Sequence, residues 1–156
     1  MNAYEAVLQE AADRGLEVIE DFNFESDALG MIVDRTIVLS SRLTSSAEKY
    51  CVLAEEVAHS EISCRNIMDT QDWRNRHEEL LARRLSHNMI IGIDGLIAAY
   101  HAGCQSRYEA AQYLNVTEEF LQAAVDSYIA KYGPYIRHGQ YLITLRPIGV
   151  YQRCEP

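Results

Sequence analysis

The stretch "CVLAEEVAHSEIS", residues 51–63, decides how this chain is read. A helix turns every 3.6 residues, so positions four apart share a face. Glu55 and His59 are such a pair, and their carboxylate and imidazole can point at one ion. Glu56 is rotated about 100° from Glu55 on the same helix. That is the relation a base glutamate bears to its histidines in a His-Glu-x-x-His zinc helix. Here a glutamate stands where the first histidine would be. A catalytic zinc needs a third donor and an open position. The next helical segment offers His77, Glu78 and Glu79, and Glu79 lies 20 residues after His59. That gap allows a helix end, a loop and the first turns of an antiparallel helix. The alternative is a solvated acidic helix face, because Glu-Glu-x-x-His recurs by chance in acidic helices.

Outward from this helix, the pattern is mixed. "AYEAVLQEAADRG" has Ala3, Ala6, Val7 and Leu8 at helical spacing, with Gly15 as a stop. "LEVIEDF" is short and β-branched. "LGMIVD" and "TIVLSS" read as a hairpin around Asp34-Arg35. Ser45 or Ser46 can cap the central helix, and Glu48 sits in its first turn, where the helix dipole favours a negative charge. After the polar stretch "SCRNIMDTQD", a second helix runs through "WRNRHEELLARRLSHNMII", with Asp72 as its N-cap. "DGLIAAYHAG" is a shorter helix. In "SRYEAAQYLNVTEEFLQAAVDSYIAKYG" two helices meet at "LNVT", where Asn115 takes the turn and Thr117 caps the second. "QYLITLRPIGVYQR" gives one or two terminal strands with a bend at Pro147-Gly149. The only composition shift lies near Gly103, so the expected division is 1–102 for the core and 103–156 for a helical hairpin plus strands, the two parts forming one domain or two.

Composition narrows the function. The 156 residues are 48% hydrophobic and 24% charged, enough for a real core. With 14 Lys and Arg against 23 Asp and Glu, the net charge is −9. Binding to nucleic acid or to an anionic membrane at large needs a positive surface, so neither is expected, although a local basic patch is not excluded. "NMIIGIDGLIAAY" is cut by Gly92, Asp94 and Gly95 and is too short to span a bilayer. The first residues lack the basic start and apolar run of a signal peptide. Four cysteines without a CxxC pair suit reduced thiols in the cytoplasm.

Several segments, in order, carry a resemblance. "LGMIVDRTIVLSSRL" looks like a Gly-aromatic-x-x-Asp-x-x-Ile-x-Leu hairpin. "TSSAEKYCVLAEEVAHSEIS" is similar to a Glu-Lys-x-Cys-x-Leu-Ala-Glu-Glu-x-x-His stretch. "NIMDTQDWRNRHEELLARRLSHNMI" is similar to an Asn-Arg-Lys-Gln-Glu-x-x-Ala-Arg-x-Trp segment, and "AAQYLNVTEEFLQAAVDSYIAKYG" and "YLITLRPIGVYQR" match a tail. Over roughly residues 28 to 152 the chain resembles the ImmA/IrrE family of metallopeptidases, in its short phage and mobile-element form.

The resemblance implies an α+β fold: a zincin-like helical core, a small N-terminal β-hairpin, a helix-turn-helix-like pair and a short terminal β segment. It implies that Glu55, His59 and Glu79 hold Zn2+, with Mn2+ or another divalent ion as the alternative for so oxygen-rich a set. Glu56 would be the base that activates a water on the metal. Leu85 and Ala58 depart from the family, where an aromatic and a glycine are common. The implied activity is a metallo-endopeptidase in the cytoplasm of a bacterial host cell, cutting a helix-turn-helix transcriptional repressor. Two alternatives stand beside it. One is a catalytically silent anti-repressor that binds the same partner. The other is a winged-helix-like DNA-binding regulator. Against the last, the second tail helix opens on Glu118 and Glu119, where a recognition helix would present Arg or Lys. The oxyanion stabiliser is open between His77 and Tyr50, and the oligomeric state is open.

Overall fold

The computed structural model describes residues 1–65 and 72–154, and of residues 63–65 and 72–75 the backbone alone. Of the polar stretch 63–72, residues 66–71 therefore lie outside what is described, as do the side chain of Cys64 and any cap made by the Asp72 side chain, whereas 63–65 continue one helix and Asp72 opens the next. The fold is α+β, with six helices and two three-stranded sheets among the described residues. Its contacts divide the chain into Met1–Ser86 and His87–Pro156. The division expected at 102/103 falls instead inside the second unit, because the helix just before it packs forward on the elements that follow.

The first unit opens with helix α1, Ala3–Asp13, held by a capping box in which Asn2 and Glu5 exchange hydrogen bonds. Gly15 ends it at φ +74°, and the Arg35 guanidinium donates to the carbonyls of Arg14 and Gly15. Strand β1 is Glu17–Phe22, β2 is Gly30–Val33 and β3 is Thr36–Ser40. The hairpin β2–β3 turns at Asp34, which takes the left-handed φ of +54°, and pairs Val33 with Thr36. Strand β1 adds to the other side of β3 in parallel, which makes the order β1-β3-β2 and leaves β2 on an edge.

Helix α2, Ser46–Arg65, covers this sheet. Ser45 starts it. Its hydroxyl accepts from the Glu48 N–H at 3.1 Å, and the Glu48 carboxylate accepts from the Ser45 N–H at 2.9 Å. That reciprocal cap satisfies two donors the helix cannot satisfy itself, and it holds the Glu48 carboxyl below the usual carboxylate range. From this start, Leu53, Ala54, Val57 and Ala58 fall on the inner face and are fully buried, with Ile37 and Leu39 of β3. Helix α3, Asp72–Ile90, meets α2 through small side chains: Ala58 and Ala82 are both fully buried, flanked by Ile62 and Leu85. This cluster lies beside the positions from which His59 and Glu79 leave the two helices.

The second unit contains α4 (Gly92–His101), α5 (Arg107–Leu114) and α6 (Glu118–Tyr132), then β4 (Tyr135–His138), β5 (Tyr141–Leu145) and β6 (Ile148–Gln152). Asn115 stands in the left-handed region at φ +55°, and the Thr117 hydroxyl accepts from the Phe120 N–H, so the turn and cap are those the sequence indicates. The core gathers Leu121, Val125 and Tyr128 of α6 with Ile143, Leu145 and Val150. The terminal β segment is larger than expected. It is an antiparallel sheet in the order β4-β5-β6. The three histidines of this unit are all engaged. His87 is buried against Phe120 and hydrogen-bonds Ser127, His101 meets the Tyr141 hydroxyl at 2.8 Å, and His138 pairs with Asp94 at 3.2 Å. Among the described residues no disulfide is present; Cys51 is buried, Cys104 half-buried and Cys154 exposed.

Candidate functional site

The buried cluster of Ala58, Ile62 and Ala82, with Leu85 packed against it, joins the two candidate helices. One residue beyond Ala58, His59 projects from α2, and Glu79 projects from α3 one turn before Ala82 and Arg83. His59 Nε2 lies 3.1 Å from Glu79 Oε2. Two ligands of one tetrahedral zinc, each about 2.0–2.1 Å from the ion, stand roughly 3.3 Å apart. The observed distance suits either co-ligands or a direct hydrogen bond.

Glu55 and Glu56 complete a run of carboxylates on α2. Burial pushes the Glu55 carboxyl above its ordinary value. The Arg83 guanidinium opposes that rise, and the negative charge of Glu79 adds to it. Glu56 is raised further, to about 7, first by burial and then by the charges of Glu55 and Glu79. A carboxyl poised near neutrality is what proton transfer at neutral pH requires. Strand β2 runs against it. A Cβ placed on Gly30 would stand 3.0 Å from Glu56 Oε1 and 2.6 Å from a Val52 methyl. Only glycine allows the edge strand to pass this close to the carboxylate.

Of the residues expected as ligands, the structure brings His59 and Glu79 into contact. Glu55 lies near enough for the charges of Arg83 and Glu79 to act on its carboxyl. Among the described residues no three His, Cys, Asp or Glu side chains gather in a metal-holding arrangement. The donor chemistry nevertheless fits a divalent cation. Three carboxylates and an imidazole lie on one helix pair, and two of the carboxyls, Glu55 and Glu56, are raised first by burial and then by carboxylate neighbours, Arg83 opposing the rise at Glu55.

That guanidinium is the residue the spacing argument missed. Arg83 Nε donates to Glu79 Oε1 at 3.1 Å. The signal was available, since Glu79 and Arg83 are four apart on a helix. Gly30 was present only as part of a hairpin pattern, and its proximity to Glu56 depends on sheet packing that no local pattern encodes. Of the two oxyanion candidates, Tyr50 is buried, and its hydroxyl is raised above its ordinary value first by that burial and then by Cys51 and Glu10. His77 is exposed on α3.

No protein-family model matches this sequence, and no curated protein or solved structure does either. Among the described residues no helix is long and apolar enough to cross a membrane.

Proposed function

We propose that the chain is a metal-dependent endopeptidase of the bacterial cytoplasm whose substrate is one protein, a helix-turn-helix repressor of phage or mobile-element type. The observation that carries this reading is the convergence of His59 and Glu79 at 3.1 Å beside a glutamate, Glu56, raised to about 7. The family resemblance supplies the substrate class. His59, Glu79 and Glu55 would hold Zn2+, or Mn2+, and a bound divalent ion supplies a polarised scissile carbonyl and a more acidic water. The chain's own groups do the rest. Glu56 takes a proton from water and delivers it to the leaving amine. Arg83 orients Glu79 through its guanidinium. The outer edge of β2, with no strand partner among the described residues, can pair with an extended substrate segment and present it to Glu56.

The test is metal content and cleavage together. The purified protein should retain or take up zinc in a one-to-one ratio and cut a purified helix-turn-helix repressor. Glu55→Ala, His59→Ala and Glu79→Ala should lose metal, and Glu56→Gln should keep metal and lose cleavage. Cleavage that survives Glu56→Gln removes the proposed base.

A second reading rests on a specific observation. Glu79 is already engaged by both Arg83 and His59. This arrangement suits a silent anti-repressor that binds the same protein at the β2 edge without cutting it. Repressor binding with no metal and no cleavage selects that reading.

A further inference from the structure

The net charge of the chain is unevenly placed. Residues 1–86 carry nine Lys and Arg against 17 Asp and Glu, whereas residues 87–156 carry five against six. Within the second unit, the 28 residues from Ser127 to Cys154 contain no Asp or Glu, but contain Lys131, Arg137, Arg146 and Arg153. This acid-free stretch is the β4–β6 sheet and its approach.

One face of that sheet is buried. Ile143, Leu145 and Val150 point into the core, and Ile136 pairs beside Ile143. Side chains alternate along a strand, so the other set faces outward. Register then fixes two outward rows. Arg137, Leu142 and Tyr151 lie side by side in one row, and Tyr135, Thr144 and Gly149 in the next. The ladder runs one step further, with the Arg153 N–H donating to the Gln140 carbonyl at 2.7 Å, which puts Arg153 in the same outward set. Tyr135 is 57% exposed and Tyr151 61% exposed. The Tyr151 ring leans over Gly149, where a Cβ would stand 3.3 Å from a ring carbon. Among the described residues neither Arg137 nor Arg153 makes an ion pair, whereas Arg146, at the strand turn, faces Asp126.

We propose that the outer face of the β4–β6 sheet binds single-stranded nucleic acid, with Tyr135 and Tyr151 each stacking one base and Arg137 and Arg153 holding the flanking phosphates. The chemistry favours this occupant over an acidic peptide. Both offer negative charge, but every base also presents a flat π face to an exposed aromatic ring, and a peptide does so only at occasional residues. Duplex DNA is disfavoured because its bases are already stacked and because the first turn of α6 carries Glu118 and Glu119. This site is independent of the Glu55–Glu79 cluster and stands or falls separately from it.

The probe is a fluorescent oligo-dT or oligo-U strand of about 12 nucleotides, titrated with the full chain and read by anisotropy, at a length suited to one small sheet. Tyr135→Ala and Tyr151→Ala should each weaken binding roughly tenfold, the order of one lost base stack. Two phosphate contacts on a single strand give a slope of about −1.4 in log K against log salt, so raising NaCl from about 50 to about 200 mM should weaken binding about sevenfold. Arg137→Glu should weaken it and flatten that slope. These exposed positions carry no core packing, so circular dichroism should be unchanged, as should the metal content conferred by His59 and Glu79. Three results would overturn the proposal: no binding at the lower salt, binding indifferent to both tyrosines, or displacement of the strand by poly-glutamate at equal charge concentration.

Discussion

Replacing Glu56 by Gln should make the metal-free protein more stable, and only above a defined pH. In the unfolded chain the Glu56 carboxyl titrates near 4.5, and in the folded chain burial and its carboxylate neighbours lift it to about 7. Between those two values the folded chain holds a proton that the unfolded chain has lost. Stability therefore falls as pH rises through this window, and is lowest above pH 7. At about 1.4 kcal/mol per pH unit, the full effect is about 3 kcal/mol. Water still reaches the half-buried group, which reduces it to about 1–3 kcal/mol. Glutamine keeps the shape and removes the titration. The measurement is urea unfolding in EDTA at intervals from pH 4 to 8.5, for wild type and Glu56→Gln. The two curves should coincide near pH 4 and separate between 4.5 and 7, the variant lying higher by the stated amount at pH 8. A constant difference across the range, or a variant that is less stable at pH 8, would show that the carboxylate is not under electrostatic stress and would refute the argument.

Other outcomes follow from the same geometry. Adding zinc at about 100 times its dissociation constant should stabilise the wild type by about 2.7 kcal/mol, and His59→Ala or Glu79→Ala should abolish most of that gain in a thermal-shift assay. Ala82→Leu should cost about 1–3 kcal/mol in unfolding experiments by forcing bulk between α2 and α3, and should also reduce metal uptake by parting His59 from Glu79. Gly30→Ala should cost a similar amount, because its methyl would overlap Val52, and should lower repressor cleavage by more than it lowers metal content. Thr117→Ala should cost about 1 kcal/mol through the lost cap of α6, with no effect on zinc binding.

What was legible in the sequence was local. The Ser45–Glu48 cap, the Asp34 hairpin turn, the Asn115 turn and the Thr117 cap each depend on residues within four positions of one another, so their chemistry can be read off directly. The α2–α3 pairing was legible because a 20-residue gap leaves few ways to bring Glu79 to His59. The parallel pairing of β1 with β3 was not, because it depends on a register between segments that share no turn. Strand β4 was missed because "YIRH" is four residues long and puts one partly buried side chain inward, at Ile136, too little to set a period. The division at Ser86 was hidden by a helical pattern that continues unbroken through it to Ile90.

If the open edge of β2 captures the proposed target, an evolutionary consequence follows. A strand edge recognises a visitor by its amide and carbonyl groups, which are the same in every sequence. A target protein held along β2 could not escape by exchanging one side chain for another. Its readiest defence would be a proline at a position that must donate an N–H, since that substitution alone deletes the group being recognised. Resistant targets, selected under pressure, should therefore accumulate prolines in the captured segment rather than scattered surface changes.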